Sequence, residues 1–517
     1  MDFLVQGISS VSAAILLLFV LLVNGHGLRL PPGPKPVPIL GNVHELPSLH
    51  QERTFAAWGT QYGDLVFTRL FQTPALVLNS LQAAQDLLDK KSAKYSHRPR
   101  FILLEELMGW DVVTHMTYGE RFRRQRKWMR DTLEDKSSLM SYRSLQKRES
   151  YILLSGLFET PESFMSHIKR PVLFAAALIM EIAYGHTVRS LDDTYIQIAD
   201  RATTETVEAG TPGSMLVDFF PWLRYIPAWM PGGKFKKDAA RISVLVRRLL
   251  DTPYDMVKSA MAAGTAFPSF TSVLLEQTQN SGGTSPQDEA DIKGAAGALY
   301  GAGSDTTIGV LATFILTMVL YPDVYKKAQD EMDRVIKKGN LPDFEDRESL
   351  PYLECVLSEV LRWNCPVPLG IPHKVMVDDE YRGYDIPGGT MVIPNIWSMT
   401  KDKENYPDPD AFRPERFEEM DGQTAEQRDP RKFVFGFGRR RCPGQKFADQ
   451  SLWIAMANMI ATLDIGKTVD VTGRNITPEA SFDPGFVSHP TSFKCAIRPR
   501  SRKVVDLVNQ MRAGMAT

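Results

Sequence analysis

Cys442 lies in a run that restricts the fold of this chain more than any other: Phe435-Gly436-Phe437-Gly438-Arg439-Arg440-Arg441-Cys442-Pro443-Gly444. Three arginines precede the thiol, and nearby positive charge favours the thiolate, the form that ligates metals. Gly436, Gly438 and Gly444 permit a tight turn and the close approach of a flat group to the backbone. Such a turn aims backbone N–H groups at the sulfur, where they spread its charge, and Phe435 offers an apolar wall beside it. From Lys446 to Ile460 the pattern becomes helical, so the sulfur precedes a helix N-terminus, which stabilises negative charge. A basic surface loop with an incidental cysteine explains these features one at a time but not their joint spacing.

A second constraint lies in Gly297-Ala298-Leu299-Tyr300-Gly301-Ala302-Gly303-Ser304-Asp305-Thr306-Thr307, inside a long helical pattern. A glycine in a helix interior costs ~1 kcal/mol relative to alanine, so three in seven residues predict a thin, locally distorted helix with room over a bound group. Asp305 and Thr306 put an acid and a hydroxyl at that turn, a pair able to relay protons from water. A packing groove of small residues accounts for the glycines but not for Asp305, since a buried carboxylate is costly without a role.

The Cys442 run resembles the haem-binding loop of the cytochrome P450 family, F-x-x-G-x-R-x-C-x-G, with every fixed position filled by Phe435, Gly438, Arg440, Cys442 and Gly444. Ala302 to Thr307 resembles the family's central-helix motif, A/G-G-x-D/E-T-T/S. The resemblance implies heme b with Cys442 as the axial iron ligand, a push of electron density that favours O–O cleavage, Arg440 facing a haem propionate, and Asp305 and Thr306 as the catalytic proton relay. It further implies a buried supporting network of Glu359 and Arg362, from an E-x-x-R pair, with Arg416 from Pro414-Glu415-Arg416-Phe417. Read alone, Glu359 and Arg362 are a plain i, i+3 helix pair. Arg126 and His373 are further propionate candidates. The family's W-x-x-x-R pattern has Phe122 in the tryptophan position here, so an indole N–H is lost, and His373 reads equally well as a solvent-facing strand residue.

Around these motifs the sequence predicts a mainly α protein with a small β portion, and the resemblance implies the cytochrome P450 fold. Helical periodicity covers 81–90, 121–133, 172–184, 241–261, 291–319, 325–337 and 353–363, with Pro253 expected to kink or divide the fourth. Strands are expected over 64–70, 74–79, 374–377, 380–386 and 390–394, and ordered coil over 406–416. Residues 3–23 carry no charge, enough to span a bilayer, which gives a membrane anchor with a luminal tip over 1–30 and a catalytic domain over 31–517. Asp2 precedes the span while Arg29 and Lys35 follow it, so the body is expected to face the cytosol, on a single-pass endoplasmic reticulum protein whose Pro31-Pro32-Gly33-Pro34-Lys35-Pro36 forms a stiff hinge.

Lys+Arg number 60 against Asp+Glu 61, a balance that points away from nucleic acid. Of the 4 cysteines none forms a C-x-x-C pair, which argues against structural zinc. Arg123, Lys127 and Arg130 share one helix face near Arg439. That face is either simply solvated or, as the resemblance implies, the dock for an NADPH-dependent cytochrome P450 reductase. The segment 219–231 is unusually aromatic and reads either as core or as a membrane-interface element. Pocket walls are expected from 100–115, 296–304, 367–371 and 482–486, largely apolar and suited to a lipophilic small molecule. The style of the chain is similar to fungal members that tailor secondary metabolites or oxidise aromatic xenobiotics, by insertion of one oxygen atom of O2. A reductase-independent peroxygenase or isomerase, and a non-catalytic haem sensor, are the alternatives.

Overall fold

Residues 27–164, 174–188, 192–210 and 215–515 are described in a computed structural model; the apolar run expected to anchor the chain lies outside them. Among these residues the helices of ten residues or more are α1 (Gln51–Tyr62), α2 (Glu120–Leu133), α3 (Arg143–Glu159), α4 (Ala175–Tyr184), α5 (Thr194–Ala209), α6 (Lys234–Ala262), α7 (Phe270–Asn280), α8 (Pro286–Leu320), α9 (Pro322–Val335), α10 (Pro351–Trp363), α11 (Gln445–Thr462) and α12 (Arg502–Gly514). The strands are short: β1 (Leu65–Leu70), β2 (Thr73–Leu78), β3 (His373–Lys374), β4 (Asp379–Tyr381), β5 (Tyr384–Ile386), β6 (Met391–Pro394), β7 (Leu463–Gly466), β8 (Thr468–Val469), β9 (Asn475–Ile476), β10 (Phe482–Asp483), β11 (His489–Pro490) and β12 (Ala496–Pro499). The mainly α expectation therefore holds.

Helix α8 runs through the middle. Ser285 caps it by accepting from the Asp288 N–H, Asp288 reaches back to the Ser285 N–H, and Pro286 takes the first turn, a reciprocal cap that fixes where the helix starts. Beyond that cap it is apolar nearly all round, so it must be enclosed, and it packs against α4, α6, α7, α10 and α11. Its length and hydropathy would suit a bilayer, but 78% of its most apolar window is buried inside the protein. The expected distortion is absent, since the helix continues unbroken from 286 to 320. The hydroxyls of Ser304, Thr306 and Thr307 instead donate back to the carbonyls of Tyr300, Ala302 and Gly303 at 2.9, 2.8 and 2.8 Å, a back-bond that needs no gap in the ladder. Two of the three glycines serve packing. A Cβ on Gly297 would lie 2.3 Å from Leu250, and one on Gly303 would lie 3.0 Å from Ile179.

Pro253 does not divide α6, which is continuous over 29 residues. An interior proline costs ~3 kcal/mol, and the buried stripe of Ile242, Val246, Leu249, Tyr254 and Val257 on the same helix outweighs it, at ~1.5–3 kcal/mol per large apolar side chain.

The main sheet has the order β1-β2-β6-β3, with β1 and β2 antiparallel, β2 and β6 parallel, and β3 antiparallel to β6. The proline-rich segment is not a free-standing hinge. Pro32 O accepts from Phe67 N at 2.9 Å, and Arg29 O accepts from Asp385 N at 2.8 Å. Gly33 permits this close approach, because a Cβ there would sit 1.8 Å from Phe67 O.

Candidate active site

Cys442 sits in a sharp loop before α11. Gly436 and Gly438 hold φ of +80° and +52°, the left-handed region that glycine enters without a Cβ penalty. At Gly438 a side chain is excluded twice, since a Cβ would also meet Leu88 O at 2.1 Å. The Gly438 N–H is anchored by Asp89 at 2.5 Å. Cys442 N donates to Phe435 O at 2.8 Å, which closes the loop and fixes where the sulfur points.

The three arginines before Cys442 do not surround its sulfur. Arg439 donates to the Tyr118 hydroxyl at 2.8 Å, Arg441 to Lys432 O at 2.6 Å, and Arg440 turns inward, away from the thiol. The positive charge acting on Cys442 comes from Arg126 on α2. Burial raises the thiol pKa, while the Gly444 N–H and Arg126 pull it down. Burial also depresses the Arg126 pKa, which Cys442 and Glu134, at 3.7 Å, oppose.

A cavity of about 410 Å³ separates the Cys442 loop from α8. Cys442, Phe435, Arg126 and Arg440 line one side, and Gly301, Ala302, Asp305 and Thr306 line the other. Of the expected wall segments, 100–115, 296–304 and 367–371 all contribute, whereas 482–486 supplies only Phe486, joined by Val487. The walls are largely apolar, with Leu104, Trp110, Val113, Val207 and Phe486 among them.

One rim of the cavity is cationic. Arg440 donates to the carbonyls of Ser96, Val113 and Met116 at 2.8, 3.3 and 2.7 Å. Arg98, which sequence reasoning missed, donates to Thr114 O, Ile371 O and Pro372 O at 3.0, 2.6 and 2.9 Å. Neither guanidinium is paired with a carboxylate among the described residues. Burial and Arg126 hold Arg440 down to about 9, and burial with Arg440 pushes Arg98 well below its usual value. His373 is not solvent-facing. It is buried, its Nδ1–H donates to Tyr95 O at 2.8 Å, and burial with Arg98 pushes its pKa well below the ordinary imidazole value. His115 beside it is pushed to about 3 by burial and Arg98, and its Nδ1 has no partner. Phe122, where an indole was expected, turns its ring face to Arg440, whose guanidinium carbon lies 3.8 Å from the ring centroid, a cation–π contact.

Asp305 is not buried: its side chain is 48% exposed, opens on the cavity, and its Oδ1 lies 3.0 Å from His489 Nε2. The supporting triad does come together. Arg362 Nε and Nη2 donate to both Glu359 oxygens at 2.7 and 2.8 Å, Arg416 Nε donates to Glu359 Oε1 at 3.1 Å, and Arg413 N adds a fourth bond at 2.8 Å.

The sequence has counterparts among known proteins. The family model described as Cytochrome P450 matches residues 31–496. Cytochrome P450 monooxygenase 176 of Postia placenta is 46% identical over 93% of this chain and 92% of its own length. Cytochrome P450 monooxygenase claR of Ampulloclitocybe clavipes is 42% identical over 97% and 92%. Tryptamine 4-monooxygenase of Psilocybe cyanescens is 37% identical over 93% and 95%.

Proposed function

Because this chain belongs to the cytochrome P450 family, we propose that it is a membrane-anchored monooxygenase that inserts one oxygen atom of O2 into a lipophilic small molecule, with electrons from NADPH delivered by a partner reductase. The observation that carries this reading is the joint lining of one cavity by the Cys442 sulfur and by the Asp305–Thr306 pair of the facing helix.

The residues fit haem. Cys442 would ligate its iron, and the unpaired cations Arg98 and Arg440, with Arg126 and neutral His373 nearby, would receive its two carboxylates. Gly438, Gly444 and Phe435 would leave space and an apolar wall on the sulfur side. When bound, haem supplies the redox chemistry that activates dioxygen. The protein's own part is narrower. The Gly444 N–H and Arg126 temper the sulfur's charge, the apolar walls exclude water and orient the substrate, and Asp305 with the Thr306 hydroxyl holds protons where dioxygen binds.

Arg98→Met tests the cationic rim. A hydrogen bond to a charged group contributes ~1.5–3 kcal/mol, so haem should leave the variant roughly 10- to 100-fold faster, read as transfer to a haem-scavenging acceptor protein. An unchanged rate removes Arg98 from the binding set. Thr306→Ala tests proton delivery. It should keep haem and lose roughly 10²-fold in product formation, with NADPH electrons recovered as hydrogen peroxide. Undiminished coupling of NADPH to product would count against the relay.

Three features support a membrane and reductase setting. Trp222 and Trp229 are 61% and 77% exposed, so the aromatic segment is not core. Within it Phe219 and Phe220 meet Phe71 in tilted and edge-on contacts, with centroids 5.2 and 5.0 Å apart, and Phe71 N bonds Leu40 O at 3.2 Å, which joins this segment to exposed Ile39 and Leu40. Arg123, Lys127 and Arg130 of α2 are exposed, as is Arg439 of the Cys442 loop, cations suited to an acidic electron donor. An endoplasmic reticulum protein facing the cytosol fits both. Its substrate is read as an apolar, ring-bearing molecule of secondary metabolism or an aromatic xenobiotic.

Co-expression with a reductase and a mass-spectrometric screen of lipophilic compounds for added oxygen tests the whole reading. Turnover with peroxide alone, and none with NADPH and reductase, would replace it with a peroxide-using enzyme.

A further inference from the structure

Near the C-terminus a small hairpin lies across α8. Its strands β10 and β11 pair antiparallel, with Asp483 opposite His489, and the connection between them brings Phe486 and Val487 to the cavity wall. Ser488 fastens the hairpin. Its N–H donates to Pro366 O at 2.8 Å, its hydroxyl to Asn364 Oδ1 at 2.8 Å, and Asn364 Nδ2 returns bonds to Ser488 O at 3.3 Å and to Thr313 Oγ1 on α8 at 3.1 Å. Gly309 makes the approach possible, since a Cβ there would meet Ser488 O at 3.2 Å and His489 Nδ1 at 3.4 Å.

The residue after this fastening is His489. Its Nε2 lies 3.0 Å from Asp305 Oδ1, its side chain is 17% exposed, and its Nδ1 is buried without a partner. Asp305 and Gly309 are one turn apart on α8, so the imidazole lies along the same face of the helix that the hairpin covers. We infer that His489 is the positioning residue of Asp305, holding its carboxylate at the cavity that Thr306 also lines, from a hairpin that also forms the substrate wall. The inference rests on the reading of Asp305 and Thr306 as a proton relay.

Two physical arguments favour a positioning role over a structural one. A half-exposed side-chain contact adds little to stability, and the hairpin is already fastened through Ser488, Asn364 and Thr313. An aspartate this open to the cavity would otherwise sample several rotamers, because its terminal torsion is broad. His489 engages one carboxylate oxygen, and a carboxylate retains acceptor sites for water on the other.

Crystal structures of the haem-loaded wild type and His489→Ala, with peroxide and product measured per NADPH, test the inference. In His489→Ala the Asp305 carboxylate should leave its wild-type position, and the share of electrons lost to peroxide should rise severalfold. His489→Gln, which keeps an N–H donor, should restore much of both, and it serves as the test if the alanine variant does not fold. His489→Ala combined with Asp305→Ala should be no more uncoupled than Asp305→Ala alone, the non-additivity of two residues acting through one contact. An unmoved Asp305 carboxylate, or additive uncoupling, overturns the role of His489. A wild type that oxygenates nothing with NADPH and reductase overturns the parent reading instead, while the crystallographic comparison still reports on His489.

Discussion

Replacing Cys442 with alanine should abolish the red-shifted Soret band of the reduced carbon monoxide complex, the signature of a thiolate ligand to haem iron, and with it all NADPH-driven oxygenation. Cys442 is the cysteine that lines the cavity. Cys355, Cys365 and Cys495 lie elsewhere, their thiols pushed up to about 12, chiefly by burial. Their alanine variants should keep the band. The Cys442 loop should survive the substitution, because what closes it is backbone: the Cys442 N–H to Phe435 O bond and the left-handed turns at Gly436 and Gly438. Helical content by far-ultraviolet circular dichroism should therefore be unchanged, while the haem-to-protein ratio falls at least ~10-fold, since a metal–ligand bond to a deprotonated side chain carries much of the binding free energy. A Cys442→Ala protein that keeps the red-shifted band would exclude this sulfur as the ligand.

Glu359→Gln should be the most damaging single change away from the cavity. The carboxylate is fully buried, as is Arg362, and Arg416 is nearly so. It accepts from two guanidiniums and from the Arg413 N–H. Glutamine preserves the shape and removes the charge, which leaves two buried cations with carbonyl partners alone. Breaking a buried pair costs ~3–5 kcal/mol, a large part of a total stability of ~5–15 kcal/mol. The structural consequence is specific, because Arg362 and Arg416 also hold the carbonyls of Thr400, Pro407, Pro409 and Ala411, the coil that leads toward the Cys442 loop. Thermal unfolding should show the loss, and the surviving protein should give a blue-shifted carbon monoxide complex because the thiolate is no longer held. The exposed pair of Lys327 and Glu418, 2.7 Å apart, is the contrast: Lys327→Met should cost less than ~1 kcal/mol. Equal effects of the two substitutions would mean that Glu359 is not the anchor described here.

Local chemistry accounts for what could be read before the fold was known. A left-handed turn needs glycine and an unbroken apolar stripe needs a helix, so the Cys442 loop and the apolar bodies of α8, α10 and α11 were legible, whereas the capped start of α8 at Ser285 and Asp288, ahead of the apolar pattern that begins at 291, was not read. Helices α3, α5 and α7 were not, because their buried faces are partly polar: α3 encloses Gln146 and Glu149, which find partners in Ser451 and Arg148, and a stripe count treats such residues as exposed. The unbroken course of α6 past Pro253 was a matter of burial that local rules cannot weigh.

By itself, then, the sequence determined the sulfur, the turn that presents it and the acid–alcohol pair on the central helix, because each depends on residues that are neighbours along the chain. Tertiary structure alone decided which charges act on them. Arg126, not the adjacent arginines, faces the sulfur. Arg98 shares the cationic rim with Arg440, and His489 holds Asp305. The reason is distance: Coulomb energy falls with separation and hydrogen bonds require contact, and those distances are set by which helices and hairpins pack together, not by separation in sequence.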